Sequence, residues 1–163
     1  MNDRRAFLGL AGAGAVTLLM FGRSSRSVAS VRFAVSHTPA QWRKILGAQR
    51  YAVLREAATE RSFSSPLLNE HRKGIFVCAG CAQPLFISAT KFESGTGWPS
   101  FWKPLAHAVA TRPDPHNRYI GVPPTEVLCA RCGGHLGHVF DDGPKPTGLR
   151  YCMNGLALKF RPA

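Results

Sequence analysis

The sequence predicts a mainly β domain preceded by short helices, and three observations carry that reading. Sixteen Gly and twelve Pro in 163 residues supply more turns than a helical bundle needs. From Gly74 onward the apolar residues come in short runs bounded by Gly and Pro, at strand lengths and strand spacings. Helical spacing of apolar residues is found before that point, between residues 38 and 58. Hydrophobic content of 45% with charged content of 18% marks a globular chain and excludes a disordered one. The length suits a single domain with a sizeable core.

Residues 1–29 read as an address and not as part of the fold. Asp3-Arg4-Arg5-Ala6-Phe7-Leu8 opens an uncharged, Gly- and Ala-rich stretch running to Gly22, followed by Arg23, Arg26 and the small-x-small triplet Ser27-Val28-Ala29. Paired arginines before a weakly apolar segment resemble a bacterial twin-arginine signal, with cleavage expected near Ala29. An uncleaved anchor is the alternative, although the stretch is short and only mildly apolar for a membrane span. Such a signal implies a periplasmic protein that crosses the membrane already folded.

Residues 30–37 read as a linker, and the domain proper is expected over 38–163. Thr38-Pro39-Ala40-Gln41 is a helix start: Thr38 as N-cap, Pro39 at the first position, Gln41 reaching back. Trp42, Ile45 and Leu46 then share a face, and Gly47 breaks the helix. Gln49–Ala58 predicts a second short helix with Tyr51, Leu54 and Ala58 on one side. Residues 61–73 are polar and turn-rich. Strands are expected at Ile75–Val77, Leu85–Ile87, Arg118–Val122, Glu126–Leu128, His135–Phe140, Leu149–Met153 and Leu156–Phe160.

Net charge is +12; residues 1–29 carry four Arg and one Asp, so without them it is about +9, from 17 basic and 8 acidic residues. This charge suits an acidic partner or nucleic acid. There is no dense Lys/Arg run and no basic helix face, so it reads as a soluble basic surface.

Cysteine arithmetic is more telling. Cys78-x-x-Cys81 and Cys129-x-x-Cys132 form two matched pairs, each after an apolar strand, and Cys152 stands alone. A strand delivering two thiolates on a tight turn makes half of a tetrahedral site, and two such knuckles close it around zinc. With four sulfurs in place no position remains for substrate, so the site is structural. Two disulfides, a redox Cys-x-x-Cys and a mixed site including His135 are the alternatives.

Cys152 lies within Arg150-Tyr151-Cys152-Met153-Asn154. A period of two puts Arg150 and Asn154 on its face, where a cation favours the thiolate and an amide can hold it or a substrate oxygen. A lone Cys in a strand is otherwise a small buried hydrophobe. His135-Leu136-Gly137-His138 adds two imidazoles whose spacing would separate them on a regular strand, unless Gly137 supplies a bulge. Gly95-Thr96-Gly97-Trp98-Pro99-Ser100-Phe101 is a Gly-rich turn carrying an indole, either a structural turn or a rigid wall beside a small apolar group.

Taken in order, these five motifs make the chain similar to the methionine-R-sulfoxide reductase (B-type) family over about residues 38–160. The resemblance implies two antiparallel sheets with short N-terminal helices, one structural zinc on the four paired cysteines, and reduction of methionine-(R)-sulfoxide through a sulfenic acid. It implies Cys152 as nucleophile, His138 as the group protonating the sulfoxide oxygen, and His135 assisting. It implies Trp98 as the wall for the S-methyl group with Phe140 nearby, and Asp142, Arg150 and Asn154 ordering the site. Thr96 departs from the pattern, because many members carry a resolving cysteine there. Recycling is therefore expected from a small thiol or a thioredoxin-like donor. A monomer without nucleic acid is expected. The competing readings are a basic zinc ribbon stacking single-stranded nucleic acid and a dithiol oxidoreductase; the export signal argues against the first, metal-bound thiolates against the second.

Overall fold

Helix α1 spans Pro39–Glu56 and begins as its first residues require. Gln41 N donates to Thr38 Oγ1 at 3.3 Å and Thr38 N donates to Gln41 Oε1 at 2.9 Å, a closed capping box. In this computed structural model residues 32–114 and 125–163 are described. The signal segment and the strand expected at Arg118–Val122 lie outside them.

Gly47, at φ 70° and ψ 171°, breaks α1 into two helical pieces. The left-handed φ is one that glycine adopts without penalty. The two expected helices are therefore one element with a kink, ending at Glu56 instead of Ala58. Trp42, Leu46, Tyr51, Val53 and Leu54 are buried, whereas Ile45 is 53% exposed. Ile45 was expected inward; the buried stripe keeps the residue four on from Trp42 and leaves the one three on at its solvent edge.

Nine strands are described: β1 (Gly74–Cys78), β2 (Pro84–Ile87), β3 (Lys91–Phe92), β4 (Ser100–Phe101), β5 (Val109–Pro113), β6 (Thr125–Cys129), β7 (His135–Phe140), β8 (Arg150–Met153) and β9 (Leu158–Pro162). They form a three-stranded sheet in the order β2-β1-β9 and a six-stranded sheet in the order β3-β4-β8-β7-β6-β5. Their pairings are antiparallel. The mainly β, two-sheet expectation holds. Strands β3, β4 and β5 were not anticipated. Two residues carry no period, and β5 is a half-exposed edge strand ending at Pro113, which tolerates the lost N–H only at an edge. The last expected strand begins at Leu158, because Gly155–Ala157 forms a 3₁₀ turn.

The core lies between the sheets. Phe76 of β1 and Phe86 of β2 meet Phe101 of β4, all with no exposed surface. Phe86 and Phe101 stack at 4.3 Å between centroids, and Phe76 meets Phe101 edge-on at 4.9 Å. Each buried ring contributes about 1.5–3 kcal/mol. Leu54 of α1 lies over Gly80, inside the first cysteine knuckle, and over Gly134, just beyond the second. The residues read as a linker are attached there: Val35 N donates to Arg131 O at 3.0 Å, and the Phe33 ring lies against Gly133.

Candidate active site and metal centre

The two Cys-x-x-Cys pairs fold alike. Strand β1 ends on Cys78, whose N–H donates to Gln83 O while its carbonyl accepts from Ala82 N; β6 ends on Cys129, with Gly134 O and Gly133 N in the same roles. The sheets contribute one knuckle each, and the four Sγ atoms come within 4.8 Å of one another. Cys78 faces Cys132 at 3.8 Å and Cys81 faces Cys129 at 3.5 Å. A tetrahedron with Zn–S bonds of about 2.3 Å has edges of about 3.8 Å, whereas a disulfide requires about 2.05 Å. The five cysteines are free. Spacing and donor chemistry thus fit one structural zinc, and they argue against both disulfides and a working dithiol. Arg55 clamps the site from α1, its Nη1 donating to Cys132 O at 3.0 Å. His135 is not among the clustered ligands.

A second centre forms where β7, β8 and β4 run side by side. Their register sets His138 and Ser100 opposite Cys152. A bulge in β7 at Leu136 pairs Gly137 with Val127 and His135 with Leu128. Gly137 sits at φ 154°, and a Cβ on it would come within 2.1 Å of the Cys152 carbonyl oxygen. This close approach admits only glycine. The bulge gathers the His135 and His138 rings, 5.4 Å apart and edge to face, as the Gly137 spacing had suggested.

The pocket at this centre has a volume of about 160 Å³ and is lined by Thr59, Thr96, Trp98, Gly137, His138, Phe140, Arg150, Cys152 and Asn154. It accommodates the end of one side chain, far smaller than the usual ligand cavity. Trp98 donates from Nε1 to Glu60 O at 3.2 Å, which fixes the indole as a wall. Asn154 is held as firmly: its Oδ1 accepts from Glu60 N at 3.0 Å and its Nδ2 donates to Leu136 O at 3.3 Å. Arg150 makes two hydrogen bonds to Asp142, at 2.8 and 2.7 Å, and lies 4.3 Å over the Phe140 ring. That pairing holds the Asp142 carboxyl below its ordinary range. Burial works against the guanidinium charge, but Asp142 and Cys152 offset it and the cation is retained.

Cys152 feels opposing influences. Burial pushes its thiol above the ordinary value, while Thr96, Arg150 and Ser100 pull it back only in part. Thr96 Oγ1 lies 3.7 Å from Cys152 Sγ. A hydroxyl chain runs behind it, from Thr96 to Ser94 at 2.8 Å and on to Ser100 at 2.7 Å.

His135 and Asp142 do not line the pocket. Asp142 grips Arg150 from outside. His135 is buried behind His138, its Nδ1 2.8 Å from Glu126 Oε1, and its Nε2 has no hydrogen-bond partner among the described residues. Burial lowers the affinity of this imidazole for a proton, Glu126 notwithstanding. Burial would raise the Glu126 carboxyl, but hydrogen bonds from Arg112 and His135 outweigh it and hold it low. His138 Nε2 lies 3.0 Å from Asp114 Oδ2. Sequence reasoning missed Glu60, Glu126, Asp114, Thr59 and Ser94, and it gave Ser100 of the Gly-rich turn no role. The first five belong to no recognisable spacing, and each is brought in by strand register or by a loop crossing.

Comparisons with known proteins agree with this geometry. The SelR domain matches residues 46–162. The chain is 56% identical over 124 residues to "Peptide methionine sulfoxide reductase MsrB" of Bradyrhizobium diazoefficiens, covering 75% of this chain and 86% of that protein. It is 52% identical over 126 residues to the protein of the same name from Thiobacillus denitrificans, covering 77% and 93%. It is 49% identical over 119 residues to "Peptide methionine sulfoxide reductase B1, chloroplastic" of Arabidopsis thaliana, covering 73% and 58%. With the match spanning both cysteine knuckles and the Cys152 pocket, this chain belongs to the SelR-domain (MsrB) family.

Proposed function

We propose that this chain is a methionine sulfoxide reductase acting on the R epimer, with Cys152 as its nucleophile. The observation that carries the reading is the placement of one metal-free thiol, Cys152, directly across from His138 in a side-chain-sized pocket walled by Trp98.

A sulfoxide sulfur becomes electrophilic once its oxygen is protonated or strongly hydrogen-bonded. The methyl group rests against Trp98 and Phe140, with the oxygen directed to His138. Cys152 Sγ attacks the sulfur, and the proton for the oxygen comes through His138, whose ring is oriented by Asp114 and backed by His135. The S–O bond breaks and its oxygen leaves as water, so that Cys152 Sγ is bonded to a sulfonium sulfur. Water then attacks Sγ and loses a proton, the Sγ–S bond breaks with its electron pair going to methionine, and Cys152 is left as a sulfenic acid. The cysteine has been oxidised and the sulfoxide reduced by the same electron pair. Arg150, set by Asp142, favours the thiolate as it forms, and Asn154 fixes the β8 end of the pocket. With methyl and oxygen positions assigned, only one epimer presents its sulfur to the thiol.

Two equivalents of an external thiol return Cys152 to the reduced state, forming a disulfide and water. The cysteine count supports an external donor: four sulfurs are grouped as a metal site, and Thr96 rather than a cysteine stands beside Cys152. A small thiol or a thioredoxin-like domain fills that role, acting on a monomeric, periplasmic protein. The test is turnover of separated R and S epimers of a peptidyl methionine sulfoxide, with dithiothreitol as reductant. Reduction of the R epimer alone, abolished in Cys152→Ser with metal content unchanged, is expected. Activity retained in Cys152→Ser, or preference for the S epimer, would sink the assignment.

A further inference from the structure

We propose that the groove between α1 and β9 is the track for an acidic stretch of the polypeptide bearing the oxidised methionine. The inference rests on the reductase reading and extends it from the reacting side chain to the flanking residues of the substrate.

The groove has a volume of about 870 Å³, against about 160 Å³ for the pocket at Cys152. The two are neighbours, with Thr59 in the wall of each. Its neighbour Glu60 joins them further, lining the groove while its carbonyl accepts from the Trp98 indole. A chain whose methionine side chain enters the pocket past Trp98 therefore has the groove beside it. The floor is apolar, with Val53 and Leu158 buried beneath it. Phe63, 70% exposed, donates its N–H to Gly97 O at 2.8 Å, next to Trp98.

Charge selects the occupant. Four cations line the groove: Arg50, Arg61, Arg72 and Lys159. The two carboxylates there are already engaged. Glu60 is nearly buried and accepts from the Gly155 and Leu156 N–H groups. Glu70 is bound by Arg72 at 2.9 and 2.6 Å, and that contact holds its carboxyl down at about 2. Arg72 is thereby neutralised. Arg50, Arg61 and Lys159 form no ion pair among the described residues. Three cations unpaired among the described residues, around an apolar floor next to the pocket of the reacting thiol, match an extended segment carrying Asp or Glu near its oxidised methionine.

The test uses peptides with one methionine sulfoxide flanked on either side, separately, by Asp/Glu, by Gly/Ser or by Lys. Dithiothreitol is the reductant, so that donor docking plays no part. At low salt the acidic peptides should show a KM roughly three- to tenfold below the lysine peptides, with kcat nearly unchanged, as expected for a few solvent-exposed charge pairs. The gap should close at high salt. In the double variant Arg50→Glu/Lys159→Glu the preference should reverse; Arg50→Gln/Lys159→Gln, a milder change, should abolish it. Equal KM values for all flanks in the unaltered protein would overturn the proposal while leaving the reductase reading intact. So would an acidic preference that survives both variants. No turnover of any sulfoxide would remove the reductase reading and this one with it.

Discussion

At the scale of single residues, the site depends on how Cys152 is balanced. Burial raises its thiol, and a hydroxyl chain and a cation only partly answer it. At neutral pH the resting site thus holds mostly thiol, and in the reaction proposed above attack on the sulfoxide is coupled to delivery of a proton to its oxygen. Only the thiolate is alkylated, so the rate of Cys152 modification by iodoacetamide should climb about tenfold per pH unit below its midpoint. The rise should continue beyond the point at which a free thiol levels off. Arg150→Gln removes a stabilising charge and should push the midpoint higher still. Mass spectrometry of the Cys152 peptide reads the rate, and a plateau below neutral pH would contradict this balance. The motif showed Arg150 and Asn154 to be neighbours of Cys152, because alternation along one strand is local. It did not show Thr96, Ser94 or Ser100, which come from a turn that strand pairing alone brings alongside.

At the scale of elements, the two knuckles act as one joint. Strands β1 and β6 belong to different sheets, and each ends in the same turn with two sulfurs. A metal bound by both is a cross-link between sheets, and its binding energy becomes folding energy. Cys132→Ser, or strong chelation of the unaltered protein, should remove one zinc per chain and lower stability by several kcal/mol, shifting the melting temperature down by about 10 °C or more. Metal analysis and calorimetry check both parts together. Loss of metal with an unchanged melting temperature would show that the aromatic core alone fastens the sheets. The matched Cys-x-x-Cys pairs were legible because the turn is encoded within four residues; that they belong to opposite sheets was not.

At the scale of the whole molecule, the twin-arginine reading and the metal site bear on each other. That route carries folded proteins, and four reduced cysteines are best loaded with zinc before they meet an oxidising compartment. In a host with the twin-arginine system, the full chain should be recovered from the periplasm, shortened near Ala29 and carrying zinc. Arg4→Lys/Arg5→Lys should leave it in the cytoplasm. Fractionation, N-terminal sequencing and metal analysis decide it; unaffected export of that variant would point to a different route.

The sequence by itself determined the local features: the Thr38 cap, the break at Gly47, the paired cysteines, the His-Leu-Gly-His bulge and the neighbours of Cys152. Each is set by backbone propensity or by spacing within a few residues. Tertiary structure alone decided which groups stand behind them. Glu126 meets His135, Asp114 meets His138, and Glu60 ties Trp98, 38 positions on, to Asn154 and Gly155, 94 and 95 positions on. It also decided that Ile45 faces solvent, that Asp142 acts from outside the pocket, and that Arg50, Arg61 and Lys159 gather along one groove. The physical reason is that a hydrogen bond between distant residues leaves no periodicity in the sequence. Its partners are selected by strand register and by the need to pair every buried polar group, and neither exists until the two sheets have closed on their core.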